Sequence, residues 1–175
     1  MFSMRRHANF IKRFKSVSCL FTASILFPMQ ISAAVSDYDA LVIEARGGNS
    51  APLLRYLEDQ GKKSALTPNQ VADWLQVSSW VENNDKTTIE IWQRYRGQMD
   101  VPARGKVAAA RAYRNQKNWN DSLAVWERVL QQEPDNVDVR TGWIMTLADA
   151  RYNQQALTEA NKWAQAHPGA DSDAL

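Results

Sequence analysis

The feature that most constrains this chain is an interval of 34 residues that keeps returning. Pro134 and Pro168 lie that far apart. The same step carries Trp92 onto Trp126 and Ala160, and Thr88 onto Ser122 and Ala156. Ile89, Leu123 and Leu157 form a third set, and Leu75, Ala109 and Trp143 a fourth. Small residues at a fixed place let two helices approach, large ones fill the gap between them, and a recurring proline ends the second helix. The pattern predicts an all-α, tetratricopeptide-repeat helix-hairpin solenoid, because one such unit cannot bury its apolar face without neighbours.

The unit at 103–136 is the clearest. Tyr113 sits on its first helix and Trp119 opens its second. Ser122, Trp126 and Val129 follow on one face, and Glu133-Pro134-Asp135-Asn136 closes the unit. The unit at 137–170 keeps Leu147, Ala156, Leu157 and Pro168. The unit at 69–102 is more degenerate but has the best helix start. Thr67-Pro68-Asn69-Gln70 reads as a capping box with proline at the first helical position, and Val71, Trp74, Leu75 and Val81 then recur at helical spacing. Within 35–68, a shorter helix pair is expected at residues 38–46 and 52–60, with Gly47-Gly48 suiting a left-handed exit between them. Residues 171–175 read as the start of a further helix. With no polar helix to cap the stack, the chain reads as the front piece of a longer protein.

Charge divides the chain unevenly. Residues 1–34 hold five basic residues, from Arg5 to Lys15, and no acidic one. Of the 21 basic and 19 acidic residues in all, this leaves 16 against 19 in the remainder, a net of −3. A basic start, an apolar run over residues 17–27 and the small residues Ser32-Ala33-Ala34 make 1–34 a cleavable signal peptide, cut after Ala34. The apolar run is about half of the ~20 residues a spanning helix needs. Once the segment is removed, the only cysteine, Cys19, leaves with it, and so does any basic argument for nucleic-acid binding. The mature chain is then expected outside the cytoplasm, stabilised by packing alone.

Groups for catalysis are scarce. The mature chain has one histidine, His167, placed before Pro168 where it suits the end of a helix. There is no HExxH, no GxSxG, no glycine-rich phosphate loop and no metal-ligand spacing. A non-enzyme without cofactor or metal is expected. Glu44, Glu90 and Glu127 are the acids to test if the array were instead a helical carbohydrate-active enzyme, although a solvated helix face is the commoner place for such residues.

A stack of helix pairs exposes a stripe of each first helix along one concave side. In the unit at 103–136 that stripe is Arg104, Val107, Arg111, Arg114 and Asn115, opposite Ala109 and Ala112. Neighbouring units contribute Asp73, Trp80 and Val81, then Asp138, Thr141 and Asp149. Three cations on one stripe repel unless something answers them. Arg104, Arg111, Arg114 and Asn115 are therefore the candidate partner-docking residues, and Trp80 could stack on a sugar face if the groove takes a carbohydrate chain instead. Trp80 also suits the core, where the other six tryptophans are expected.

Several words of the chain are characteristic in their order and spacing. They are Tyr38-Asp39-Ala40-Leu41-Val42-Ile43-Glu44-Ala45-Arg46, Ala72-Asp73-Trp74-Leu75-Gln76 and Pro102-Ala103-Arg104-Gly105. Ala112-Tyr113-Arg114-Asn115 and Thr146-Leu147-Ala148-Asp149-Ala150 follow. Together they make residues 35–175 resemble the N-terminal periplasmic region of the bacterial export porins for poly-β-1,6-N-acetyl-D-glucosamine (PNAG; PgaA/HmsH type). The resemblance implies a periplasmic scaffold at the outer membrane, serving biofilm matrix secretion. Such a scaffold holds a periplasmic polysaccharide deacetylase and guides the polymer to a pore. Partly deacetylated polymer is cationic, so the resemblance makes Asp73, Asp138 and Asp149, with Trp80, the candidate polymer-binding residues. The pore would be a C-terminal β-barrel that these residues do not contain, and no active-site residue carries over. A free-standing periplasmic adaptor for another envelope assembly is the alternative.

Overall fold

A computed structural model describes residues 37–168. The expected signal peptide at 1–34, with Cys19, and the further helix expected at 171–175 lie outside the described residues. Within them run eight α-helices: α1 (Asp37–Arg46), α2 (Ala51–Lys63), α3 (Pro68–Ser78), α4 (Asp85–Tyr95), α5 (Ala103–Asn115), α6 (Trp119–Gln132), α7 (Val137–Asp149) and α8 (Asn153–Ala166). The chain is an all-helical, tetratricopeptide-like array of hairpins.

The turns repeat as faithfully as the helices. The second helices α4, α6 and α8 begin at Asp85, Trp119 and Asn153, in steps of 34 residues. Two positions ahead of each start, Asn83, Lys117 and Arg151 hold positive φ angles of 59°, 60° and 69°. The next amides, of Asn118 and Tyr152, reach back 2.9 Å to the carbonyls of Tyr113 and Leu147, closing α5 and α7 with a left-handed exit. Between α1 and α2 the same task falls to Gly48, at φ 103°, with the amide of Asn49 on the Glu44 carbonyl at 3.2 Å. Helix starts are held by side chains. Thr67 Oγ1 accepts from the Gln70 amide at 3.2 Å while Gln70 Oε1 accepts from the Thr67 amide at 2.9 Å, so the capping box is real. Asn136 Oδ1 does half of this for α7, accepting from Val139 at 3.2 Å.

The helices form two rows with the core between them. First helices touch along their row (α1 on α3, α3 on α5, α5 on α7), and each second helix packs on the first helix that follows it. Neighbouring second helices have little or no contact with each other, so clefts open between them. The recurring positions fill the seam: Thr88, Ser122 and Ala156 are buried, as are Leu75, Ala109 and Trp143. Trp92 and Trp126 are fully enclosed. A Cβ on Gly142 would lie 2.5 Å from the Trp126 ring, so only glycine leaves room for that indole. Trp126 Nε1 donates to Thr146 Oγ1 at 3.0 Å. One repeat earlier the residue in the place of Thr146 is Ala112, and the Nε1 of Trp92 is buried without a partner.

Three apolar expectations need correcting. Val81 falls in the turn after α3 and is 39% exposed. Leu157 is 57% exposed on α8, because no helix follows α8 among the described residues to cover it as α7 covers α6. Trp80 lies beyond the end of α3 at 48% exposure and is not core, whereas Trp74, Trp92, Trp126, Trp143 and Trp163 are, and Trp119 is partly buried. His167 ends α8 as expected, with Nδ1 3.1 Å from the Trp163 carbonyl and its ring stacked on that indole at 3.6 Å.

Candidate functional site: the face of the first helices

Because α3, α5 and α7 lie side by side, residues about one repeat apart in sequence meet across their shared face. Asp73 is reached from both neighbours. The Tyr38 hydroxyl donates to Oδ2 at 2.7 Å, and Arg104 donates to Oδ1 from Nε at 3.1 Å and Nη2 at 3.0 Å. The same Nη2 donates to the main-chain oxygen of Asn69 at 3.2 Å and to its Oδ1 at 3.1 Å. Burial, followed by the hydrogen bond to the Asp73 carboxylate, pushes the Tyr38 phenol well above the usual tyrosine range. On the other side of α5, Arg114 Nε donates to Asp149 Oδ2 at 2.6 Å and Nη1 rests 3.9 Å from Met145 Sδ. Asn115 Nδ2 donates to Asp85 Oδ1 at 3.1 Å.

These bonds answer the repulsion expected along the stripe. Of the three arginines, Arg104 is neutralised by Asp73 and Arg114 by Asp149, so the two acids are engaged inside the protein. Arg111 is left with no carboxylate among the described residues, and the side chains of Trp80 and Asp138 likewise make no internal bond. Among the described residues the face is therefore close to charge-balanced, with one free guanidinium, one free carboxylate and one exposed indole.

Two hollows adjoin on this face. One, of about 340 Å³, lies between α5 and α7 and is lined by Arg111, Arg114, Asn115, Asp138, Thr141 and Met145 among others. The second lies between α3 and α5, with Gln76, Ser79, Trp80, Asp85, Arg104 and Val107 around it. Arg111 and Asn115 line both, so the hollows form one trough with Arg111 at its middle. Six of the eight candidate residues thus line the trough, and Asp73 and Asp149 brace it from outside. The sequence reading did not single out Asp85, Gln76, Ser79 or Met145. For Asp85 the signal was present: a residue one repeat from Asn115, give or take a helical turn, is the place to look for its partner.

Two carboxylates, Asp138 and Asp85, line the trough, one in each hollow. Glu44, Glu90 and Glu127 sit on α1, α4 and α6; none of them lines the trough, and Glu90 faces a separate hollow between α2 and α4 with Glu58 and Arg94. No group of three metal-ligating side chains occurs among the described residues, and no described helix is long and apolar enough to cross a membrane.

Over 142 residues, 80% of the chain, the sequence is 46% identical to the poly-beta-1,6-N-acetyl-D-glucosamine export protein of Escherichia coli K12, and equally to that of Escherichia coli O157:H7. This chain is a relative of that export protein. The export-protein relative spans 17% of the length of those proteins. No family model matches it, and neither does any solved structure. The matched proteins are named for export and not for a catalysed reaction, in keeping with a non-enzymatic role for this region of the export-protein relative.

Proposed function

We propose that the chain is the periplasmic helical scaffold of an exporter of PNAG, at the periplasmic face of the outer membrane. Its first-helix trough docks the periplasmic polysaccharide deacetylase and guides polymer toward the pore. The observation that carries this reading is the 46% identity to an export protein over 80% of the chain. The trough supports it physically. Arg104 and Arg114 are held in internal pairs, so recognition of an acidic partner surface rests on Arg111, whose guanidinium fork is free to take a carboxylate. Partly deacetylated polymer is cationic, and Asp138 with the exposed Trp80 offers it a carboxylate and a ring face.

The test separates the two tasks. Arg111→Glu is expected to lower capture of the purified deacetylase by at least about tenfold, and Trp80→Ala to weaken retention of PNAG oligosaccharide while leaving deacetylase capture intact. Capture and retention both equal to the unaltered protein would refute the trough as the working surface.

A further inference from the structure

The opposite side of the array carries a second site, independent of the trough. The cleft between α4 and α6, of about 220 Å³, is lined by Trp92, Arg96, Asp100, Lys106, Arg128 and Gln132 among others. Arg96 and Arg128 are exposed and have no bonding partner among the described residues. Lys106 is different: its side chain is only 7% exposed, and its Nζ donates to Asp100 Oδ1 and Gln132 Oε1, each at 2.8 Å. An ammonium has three donors, so one remains unfilled at the base of the cleft. Asp100 is the single acid in the lining, and its side chain is 81% exposed.

We infer that this cleft is a phosphate-binding site on the second-helix side of the array. Three cations against one carboxylate leave an excess of two positive charges, which a phosphate group of charge about −1.5 to −2 neutralises. Its tetrahedral oxygens point in separate directions and can take two guanidinium forks and the open Lys106 donor together, which the two coplanar oxygens of a carboxylate cannot. Asp100 stands in for the anion when the site is empty. It keeps Lys106 paired, as a buried ammonium must be, and yields when a stronger acceptor arrives. The phosphate can belong to a soluble molecule or to a lipid headgroup.

Two probes separate these sources. In the first, inorganic phosphate is titrated into the full chain at constant ionic strength, following the Trp92 indole and the Lys106 amide by NMR. In the second, the protein is sedimented with phosphatidic acid vesicles, whose headgroup is a terminal phosphomonoester, and with phosphatidylcholine vesicles. Saturable shifts that weaken at least about tenfold in Arg96→Gln/Arg128→Gln establish the site for soluble phosphate. Sedimentation with phosphatidic acid alone, lost in the same variant, establishes it for a headgroup. Both substituted residues are exposed, so the variant keeps its fold, checked by an unchanged spectrum elsewhere. Absence of saturable binding to either probe, or equal binding by the variant, overturns the inference.

Discussion

Lys117 and Arg151 sit where a glycine would be at ease. Both hold left-handed backbone at the hairpin turn, a conformation that costs a side-chain-bearing residue about 1 kcal/mol. Lys117→Gly is therefore expected to raise stability by about 0.5–1 kcal/mol, read as a higher urea midpoint at unchanged slope. A lower midpoint would mean that the turn is held by something other than backbone geometry. Nothing in the sequence advertised these turns except Asn83, whose residue type tolerates the conformation; lysine and arginine do not signal it. Tyr38 offers a second test. Its phenol is raised in the folded state by burial and by Asp73, whereas the unfolded chain ionises it near pH 10.0. Above that pH the unfolded state loses a proton that the folded state keeps, so the tyrosine's contribution is complete below pH 10.0 and declines as the pH rises beyond it. Chemical denaturation from pH 8 to 11 is expected to show a steeper alkaline loss for the unaltered protein than for Tyr38→Phe.

Helix against helix, α5 passes close over α3 at Gly105. A Cβ on Gly105 would lie 2.8 Å from the Cα of Ala72, and a main-chain atom cannot move aside as a flexible side chain can. Gly105→Ala gains about 1 kcal/mol of helix propensity but suffers about 1–3 kcal/mol of overpacking and parts the two first helices. The melting temperature is expected to fall for Gly105→Ala and to hold for Gly97→Ala, whose Cβ would meet nothing within 4 Å. At this scale much was legible. Thr67 to Gln70 announced the start of α3, and the spacing of Thr88, Ser122 and Ala156 announced the seam between hairpins, because capping and close packing depend on residue type at fixed intervals. The trough was legible as a stripe but not as a set of bonds. Arg104 and Asp73, like Arg114 and Asp149, are distant in sequence and meet only once helices stack, so the charges that looked free were in fact partnered. Trp80 misled for a related reason: its spacing continues the apolar face of α3, yet the helix ends at Ser78.

Across the whole molecule, protection from solvent is concentrated in the middle. α5 buries seven residues and touches α3, α4, α6 and α7, whereas α1 buries only Ala45 and α8 only Ala156 and Trp163. In an array stabilised by neighbours, opening begins where neighbours are fewest. Native-state hydrogen exchange is expected to be slowest in α5 and fastest in α1 and α8; uniform protection would mean that the hairpins open as one block. The ties from Tyr38 through Asp73 to Arg104, and from Arg114 to Asp149, have a mechanical consequence. Each fastens one hairpin to the next along a single edge, while the opposite edge is open clefts. The assembly thus behaves as a hinged strip with elastic along one side, and part of that elastic is ionic. Dissolved salt, which screens charge over about 10 Å at 0.1 M, competes with it. The compliance of the strip is therefore tied to the salinity of its surroundings.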